Sequence, residues 1–218
     1  MSRLADERAA CYDSVMIGDD LKGSDVKLWK LIEERTTPGA DRKSIDQRIW
    51  DLFGQEWAIM FTDLSGFSRN VAAFGIIHFL QVIHEQQKLL LPIVAANDGI
   101  VVKIEADSFL ILMRKAATAI RTAIEMQRAC HGFNQTRPPE EQVLLCVGIG
   151  YGRLLRIGDT DVYGHEVNLA SKLGEDTAKT NEILITEAAM TAAGEILGTK
   201  YLPRPGSGRA YQLQYKLE

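Results

Sequence analysis

The sequence predicts an α+β domain, a mixed β-sheet with packed helices, preceded by a helical N-terminal arm. Short apolar strand runs alternate with amphipathic helical patterns from residue 56 onward. Some of these strands are separated by helices and others by tight turns, which excludes a strictly alternating parallel barrel. Two further helical patterns lie upstream, between residues 22 and 55. We therefore place the arm at 1–55 and the body at 56–218.

In the arm, Val26, Trp29 and Ile32 recur at i, i+3 and i+6 after Ser24 and Asp25, which can cap a first helix. Thr36-Thr-Pro-Gly-Ala-Asp41 then breaks the pattern. Ser44 and Gln47 have capping-box spacing ahead of Ile45, Ile49, Trp50, Leu52 and Phe53, the second helix. Both helices are amphipathic and need a surface, either their own domain or a dimer or regulatory contact.

The body opens with Glu56-Trp-Ala-Ile-Met-Phe-Thr, a buried-strand run that ends at Asp63-Leu-Ser-Gly. Residues 71–96 read as a helix with Pro92 as a kink. Asn97-Asp98-Gly99 is a turn, Ile100–Glu105 a strand and Ser108–Met113 another, with Ala106-Asp107 at the hairpin tip. A helix over 116–133 is stopped by Pro138-Pro139. Val143–Ile149 reads as a strand with alternating faces, and Gly150 and Gly152 interrupt or bulge the sheet before Leu154–Ile157. A helix over 166–178, a strand over 183–185, a helix from Thr186 and a closing pair around Pro205-Gly-Ser-Gly208 complete the chain.

Composition narrows the function. The chain has 218 residues, more than one average domain and enough to bury a core. Hydrophobic residues make up 46% and charged residues 25%, close to globular averages, which excludes a disordered or collagenous chain. With 25 Lys+Arg against 29 Asp+Glu, the net charge of −4 offers no general attraction to nucleic acid or anionic lipid. Apolar runs such as 89–96 fall far short of the ~20 residues of a membrane span. The first residues lack a signal-type apolar core, so a cytoplasmic protein is expected. Cys11, Cys130 and Cys146 are odd in number and scattered, which reads as small thiols rather than a disulfide or zinc framework.

Asp63 and Asp107 stand at the ends of strongly apolar strands. If those strands are neighbours, the two carboxylates converge, and hard oxygen ligands suit Mg²⁺ or Mn²⁺. Either Asp alone reads first as a turn or cap residue, since Asp is common in turns. Their surroundings add a pattern: Phe61-Thr-Asp63-Leu-Ser-Gly-Phe67-Ser68, then Lys103-Ile-Glu-Ala-Asp107, then Asp161-Val-Tyr-Gly-His-Glu-Val-Asn168-Leu-Ala-Ser171-Lys172-Leu173. Over roughly residues 56–190, this order closely resembles the catalytic domain of class III nucleotidyl cyclases, the adenylate and guanylate cyclases.

The resemblance implies a ferredoxin-like sheet and a reaction that turns ATP into 3′,5′-cyclic AMP and pyrophosphate without a protein nucleophile. It makes Asp63, Asp107 and the Leu64 carbonyl ligands of two divalent cations, Mg²⁺ or Mn²⁺. Phe67 and Ser68, in the first motif, and Ser171, in the third, become substrate-binding candidates. Lys103 and Asp161 fall where the family reads the base. A donor and an acceptor there match adenine N1 and N6, whereas guanine has the reverse polarity on that edge. Asn168 positions the ribose region, and Lys172 stands where the family usually has an Arg that stabilises transition-state charge. Because the family draws the two Asp residues from one subunit and the base-reading and Asn/Arg residues from the other, a chain with both sets implies a homodimer with composite sites.

Three residues depart from the family pattern. Lys172 keeps the charge but not the planar multi-donor fork of Arg. Ser207, in Arg204-Pro-Gly-Ser207-Gly-Arg209, lies where the family places a triphosphate-binding Lys, a role that leaves Arg204 or Arg209 as substitutes. Ala106 replaces a common Gly before the second Asp. These departures leave open a catalytically weak or inactive nucleotide-binding or regulatory module, and a cyclase for another nucleoside triphosphate.

Overall fold

The computed structural model describes residues 23–66, 72–206 and 209–217. Its elements in chain order are α1 (Ser24–Thr36), α2 (Arg42–Phe53), β1 (Gly54–Leu64), α3 (Ile76–Ala96), β2 (Ile100–Glu105), β3 (Ser108–Met113), α4 (Ala116–Asn134), β4 (Leu145–Ile157), β5 (Asp161–Tyr163), α5 (His165–Ser171), β6 (Ile183–Thr186), α6 (Glu187–Ala193), β7 (Lys200–Pro203) and β8 (Ala210–Gln214). They divide into two units, one up to Gly54 together with Arg156–Asp159, the other Gln55–Leu155 with Thr160–Glu218.

In the first unit, α1 buries Leu28 and Leu31, and α2 buries Ile45, Ile49 and Phe53. The expected Val26, Trp29 and Ile32 stripe is not the buried face: Trp29 is 46% exposed. Sequence spacing alone did not separate the two offset apolar rows. Capping also differs from expectation. Gly23 precedes α1 without a side-chain cap, and Asp41 caps α2 by accepting from the Ser44 amide at 3.2 Å, so Ser44 lies inside the first turn. Arg35 grips Asp46 through Nε at 2.5 Å and Nη2 at 3.2 Å, and Arg48 reaches Glu34 at 2.6 Å.

The second unit contains the sheet, ordered β2-β3-β1-β4-β6-β8-β7 with β5 paired to β4. The succession β1-α3-β2-β3-α4-β4 places β1 between β3 and β4, the ferredoxin-like arrangement. β1 and β2 both run antiparallel to β3, β6 runs parallel to β4, and β8 runs antiparallel to β6 and β7. One sheet face gathers Ala58, Met60, Phe109, Ile111, Val147 and Ile149 with Phe79, Leu90 and Val94 of α3 and Ile120 and Met126 of α4. The opposite face gathers Trp57, Ile59, Leu110 and Leu112 with Leu154, Val162, Val167 and Ala170. Each fully buried Val, Leu, Ile, Phe or Met among them contributes roughly 1.5–3 kcal/mol. No helix among the described residues is long and apolar enough to cross a membrane.

Three element boundaries differ from the sequence reading, each for a local reason. α3 starts at Ile76 because Gly75, at φ 87, breaks it from a short helical turn at 72–74; it then runs through Pro92. β4 is continuous through Gly150 and Gly152, and Leu145–Gly150 are buried throughout instead of alternating, because both faces of this central strand are covered. The predicted helix over 166–178 is α5 followed by a π-helical turn, Lys172–Thr177, in which the Ala178 amide reaches back five residues to the Leu173 carbonyl at 2.8 Å.

Candidate active site

β1 and β3 are adjacent, and their register, Thr62 opposite Phe109, brings Asp63 opposite Ser108. The Ser108 hydroxyl donates to Asp63 Oδ1 at 3.1 Å. Asp107, at the β2–β3 hairpin tip, is only 8% exposed, and its carboxyl interacts with Asp63 and with the Leu64 amide. The two acids therefore meet in one place. Burial, then the Asp107 charge, pushes the Asp63 carboxyl up to about 6, and burial raises Asp107 as well. Asp107 Oδ2 is buried without a hydrogen-bond partner among the described residues. Facing carboxylates that repel, with one orphaned oxygen, form a donor set that fits a hard divalent cation. Among the described residues no cluster of three or more His, Cys, Asp or Glu forms a metal site, so any cation here leaves coordination positions for water or phosphate.

A bulge supplies the next part. The β2–β3 register shifts between Val101 and Lys103: Val101 pairs with Ile111 on the helix-covered face, but Lys103 pairs with Leu110 on the opposite face. The inserted residue thus turns Lys103 toward β5 and onto the face that carries Asp63. There Lys103 Nζ donates to Asp161 Oδ2 at 2.7 Å, which raises the lysine pKa. Asp161 is oriented by the Val162 amide on Oδ1 at 2.8 Å and by the Tyr163 hydroxyl on Oδ2 at 3.3 Å.

α5 packs Val167 and Ala170 into the same face and leaves Asn168 and Lys172 exposed. The Lys172 amide bonds to the Asn168 carbonyl, so the two share a helix face even though the π-helical turn begins at Lys172. Glycines allow this seat. A Cβ on Gly148 would overlap the Ala170 carbonyl and the Gly174 amide, and one on Gly174 would lie 2.8 Å from the Phe61 carbonyl, two residues before Asp63. Ser171 donates to Glu175. Arg204 is engaged by Glu182 at 2.8 Å and Gln212 at 3.2 Å, whereas Arg209 is exposed and reaches Glu187 at 3.2 Å. Phe67, Ser68 and Ser207 lie outside the described residues.

Two residues that the sequence reading did not single out support this geometry. Glu166 accepts from the Tyr151 amide at 3.2 Å and the Thr186 hydroxyl at 2.6 Å, fastening α5 to β4 and β6. Gln86, fully buried on α3, donates to the Asp107 carbonyl at 2.8 Å. A polar residue in register with Phe79, Val82, Ile83, Leu90 and Val94 was the available signal.

The family model of the Adenylate and Guanylate cyclase catalytic domain matches residues 54–201. The chain belongs to this family. Among solved structures, the adenylyl cyclase CyaB from P. aeruginosa aligns with a TM-score of 0.63 at 19% identity, covering 75% of this chain and 96% of that one. An Adenylate/Guanylate Cyclase/Hydrolase from Silicibacter pomeroyi gives 0.63 at 21% identity, over 73% and 95%. The non-canonical dimeric guanylyl cyclase domain of the RhoGC fusion protein from Blastocladiella emersonii gives 0.62 at 17% identity, over 73% and 96%, and that domain is also solved as a monomer. Among curated proteins, the serine/threonine-protein kinase pkn2 of Myxococcus xanthus is 27% identical over 166 residues, 73% of this chain. The chain spans only 19% of that kinase's length. As a cyclase catalytic domain, the fold is that of a nucleotidyl cyclase; the cyclase neighbours include both adenylyl and guanylyl enzymes.

Proposed function

We propose that the chain is an adenylate cyclase that converts ATP to 3′,5′-cyclic AMP and pyrophosphate at composite sites of a cytoplasmic homodimer. The observation that carries the reading is the Lys103–Asp161 pair, a donor beside an acceptor, held on the same sheet face as Asp63 and Asp107. Lys103 Nζ would donate to adenine N1 and Asp161 would accept from the N6 amino group, exchanging their mutual bond for the base edge. Asp63, Asp107 and the Leu64 carbonyl would hold two divalent cations, Mg²⁺ or Mn²⁺. Bound there, these ions supply charge neutralisation for the triphosphate and acidify the ribose 3′-hydroxyl.

The remaining steps belong to the chain's own groups. Asn168 of the second copy aligns the ribose, and Lys172 offsets charge that develops on the α-phosphate as the 3′-oxygen attacks and pyrophosphate leaves. Ser171 turns its hydroxyl between Glu175 and the nucleotide. Phe67 and Ser68, three and four residues after Leu64 in the sequence, are assigned to substrate binding in this reading. With Arg204 engaged by Glu182 and Gln212, Arg209 is the more exposed of the two and would exchange its 3.2 Å bond to Glu187 for the triphosphate.

That engagement of Arg204, together with Lys172 in place of a planar fork, favours a second reading: a module that binds nucleotide and turns it over poorly. Incubation with Mn²⁺ and ATP, GTP, CTP or UTP, followed by chromatography of the products, separates the two. The first reading expects cyclic AMP from ATP in excess of every other cyclic product, and none from Asp63→Ala. Nucleotide binding without a cyclic product selects the second, and cyclic GMP in excess reverses the base assignment.

A further inference from the structure

We infer that Gln86 is a positioning residue that sets the geometry of Asp107 and Ser108 for cation binding, an inference that rests on reading Asp63 and Asp107 as metal ligands. Gln86 is 0% exposed, on the helix face formed otherwise by Phe79, Val82, Ile83, Leu90 and Val94. Its Nε2 donates to the Asp107 carbonyl at 2.8 Å, while its Oε1 is buried with no hydrogen-bond partner among the described residues. A half-paired amide in an apolar core is a poor choice for stability, because leucine or methionine would fill the same volume without an orphaned oxygen.

What the amide gains is control of one peptide plane. The Asp107 carbonyl belongs to the peptide linking Asp107 to Ser108. Asp107 aims one carboxylate at the site, and Ser108 donates to the other, Asp63 Oδ1. The hairpin tip has its own tension, because Ala106 adopts φ 52, a left-handed conformation that a residue with a Cβ rarely takes. Without the Gln86 bond, that tip has a route to relax and rotate both groups out of register. The position of Gln86 is that of an outer-layer partner in a metal site: it touches no cation yet orients the groups that do.

The test compares the 218-residue chain with Gln86→Met, which keeps the side-chain length and removes both the N–H and the orphaned oxygen. Mn²⁺ uptake is read from the electron paramagnetic resonance of free Mn²⁺ in the presence of 3′-deoxy-ATP, which has no hydroxyl to cyclise, and folding is read by thermal denaturation. The expected result is Mn²⁺ affinity weakened about tenfold or more, with a melting temperature equal to or above wild type. If Gln86→Met does not fold, Gln86→Leu is read in the same way. Mn²⁺ affinity within about twofold of wild type overturns the inference, whether or not the melting temperature falls. Wild-type protein that takes up no Mn²⁺, or that matches Asp63→Asn, overturns the metal-ligand reading and this inference with it. Asp63-dependent uptake left intact in Gln86→Met overturns the inference alone.

Discussion

Asp63 has a carboxyl pushed up to about 6, against 3.8 for the free side chain, and this predicts an unusual pH profile. In metal-free protein the folded state keeps a proton that the unfolded state has released, so stability falls as pH rises through about 4 to 6 and stays at the lower level above that window. Asp107, raised in the same direction, adds to the effect. Asp46, lowered by Arg35, loses its stabilisation only as pH falls below the ordinary carboxylate range, outside this window. Chelator-treated protein should therefore melt at higher temperature at pH 5 than at pH 7, and Asp63→Asn should shrink the difference; equal shifts in both proteins would assign the profile elsewhere. A second prediction concerns Ala106 at φ 52. Ala106→Gly removes the steric cost of that conformation and should raise stability by up to about 1 kcal/mol in urea denaturation. That Asp63 and Asp107 could converge was legible from their places at strand ends, but it was the surrounding motifs and their family resemblance that singled them out, since either Asp alone reads as a turn residue. Gln86 was not, because its value depends on which carbonyl the folded hairpin presents to α3.

The elements that place the site work through departures from regular geometry. Strand periodicity assigned β2 its position but not the facing of Lys103, which is set by a register shift visible only once β2 is paired with β3. Likewise, Gly150 and Gly152 read as breaks in a strand, whereas β4 continues through them and Gly148, with the missing side chains making room for α5 and the π-helical turn. This close approach predicts a contrast between two substitutions. Gly148→Ala forces a Cβ into the Ala170 carbonyl and Gly174 amide and should cost about 3 kcal/mol, and if Lys172 has its proposed role, kcat falls in whatever protein remains folded because Lys172 rides on the displaced turn. Gly132→Ala, in α4 with nothing within 4 Å of the added Cβ, should instead stabilise by about 0.5–1 kcal/mol. Urea denaturation of both variants checks the pair, and similar costs for the two would remove the packing argument.

At the scale of the whole molecule, the ferredoxin-like sheet puts its two faces to different uses. α3 and α4 seal one face, and the other carries the acidic pair, the Lys103–Asp161 pair and α5 in a single chain. The proposed homodimer would set two such faces head to tail, each copy lending its acids to the other's base-reading pair. Exposed apolar side chains at the start of α3, Ile76, Ile77 and Leu80, and Phe74 in the turn before it, at 50%, 77%, 51% and 52% exposure, suit a covered surface better than solvent. The homodimer makes a quantitative demand on mixed variants. Asp63→Ala spoils the acidic half of a site and Asn168→Ala the ribose-aligning half, so each variant alone assembles only defective sites. Mixed in equal amounts with free exchange, half of the dimers pair one of each, and each such dimer contains one intact site and one doubly damaged site. Activity should therefore return to about one quarter of wild type, with unchanged KM for ATP because the surviving site is native. Sites contained within single subunits predict no recovery at any mixing ratio, and native mass spectrometry of differently tagged chains establishes that exchange has taken place before the rate is read.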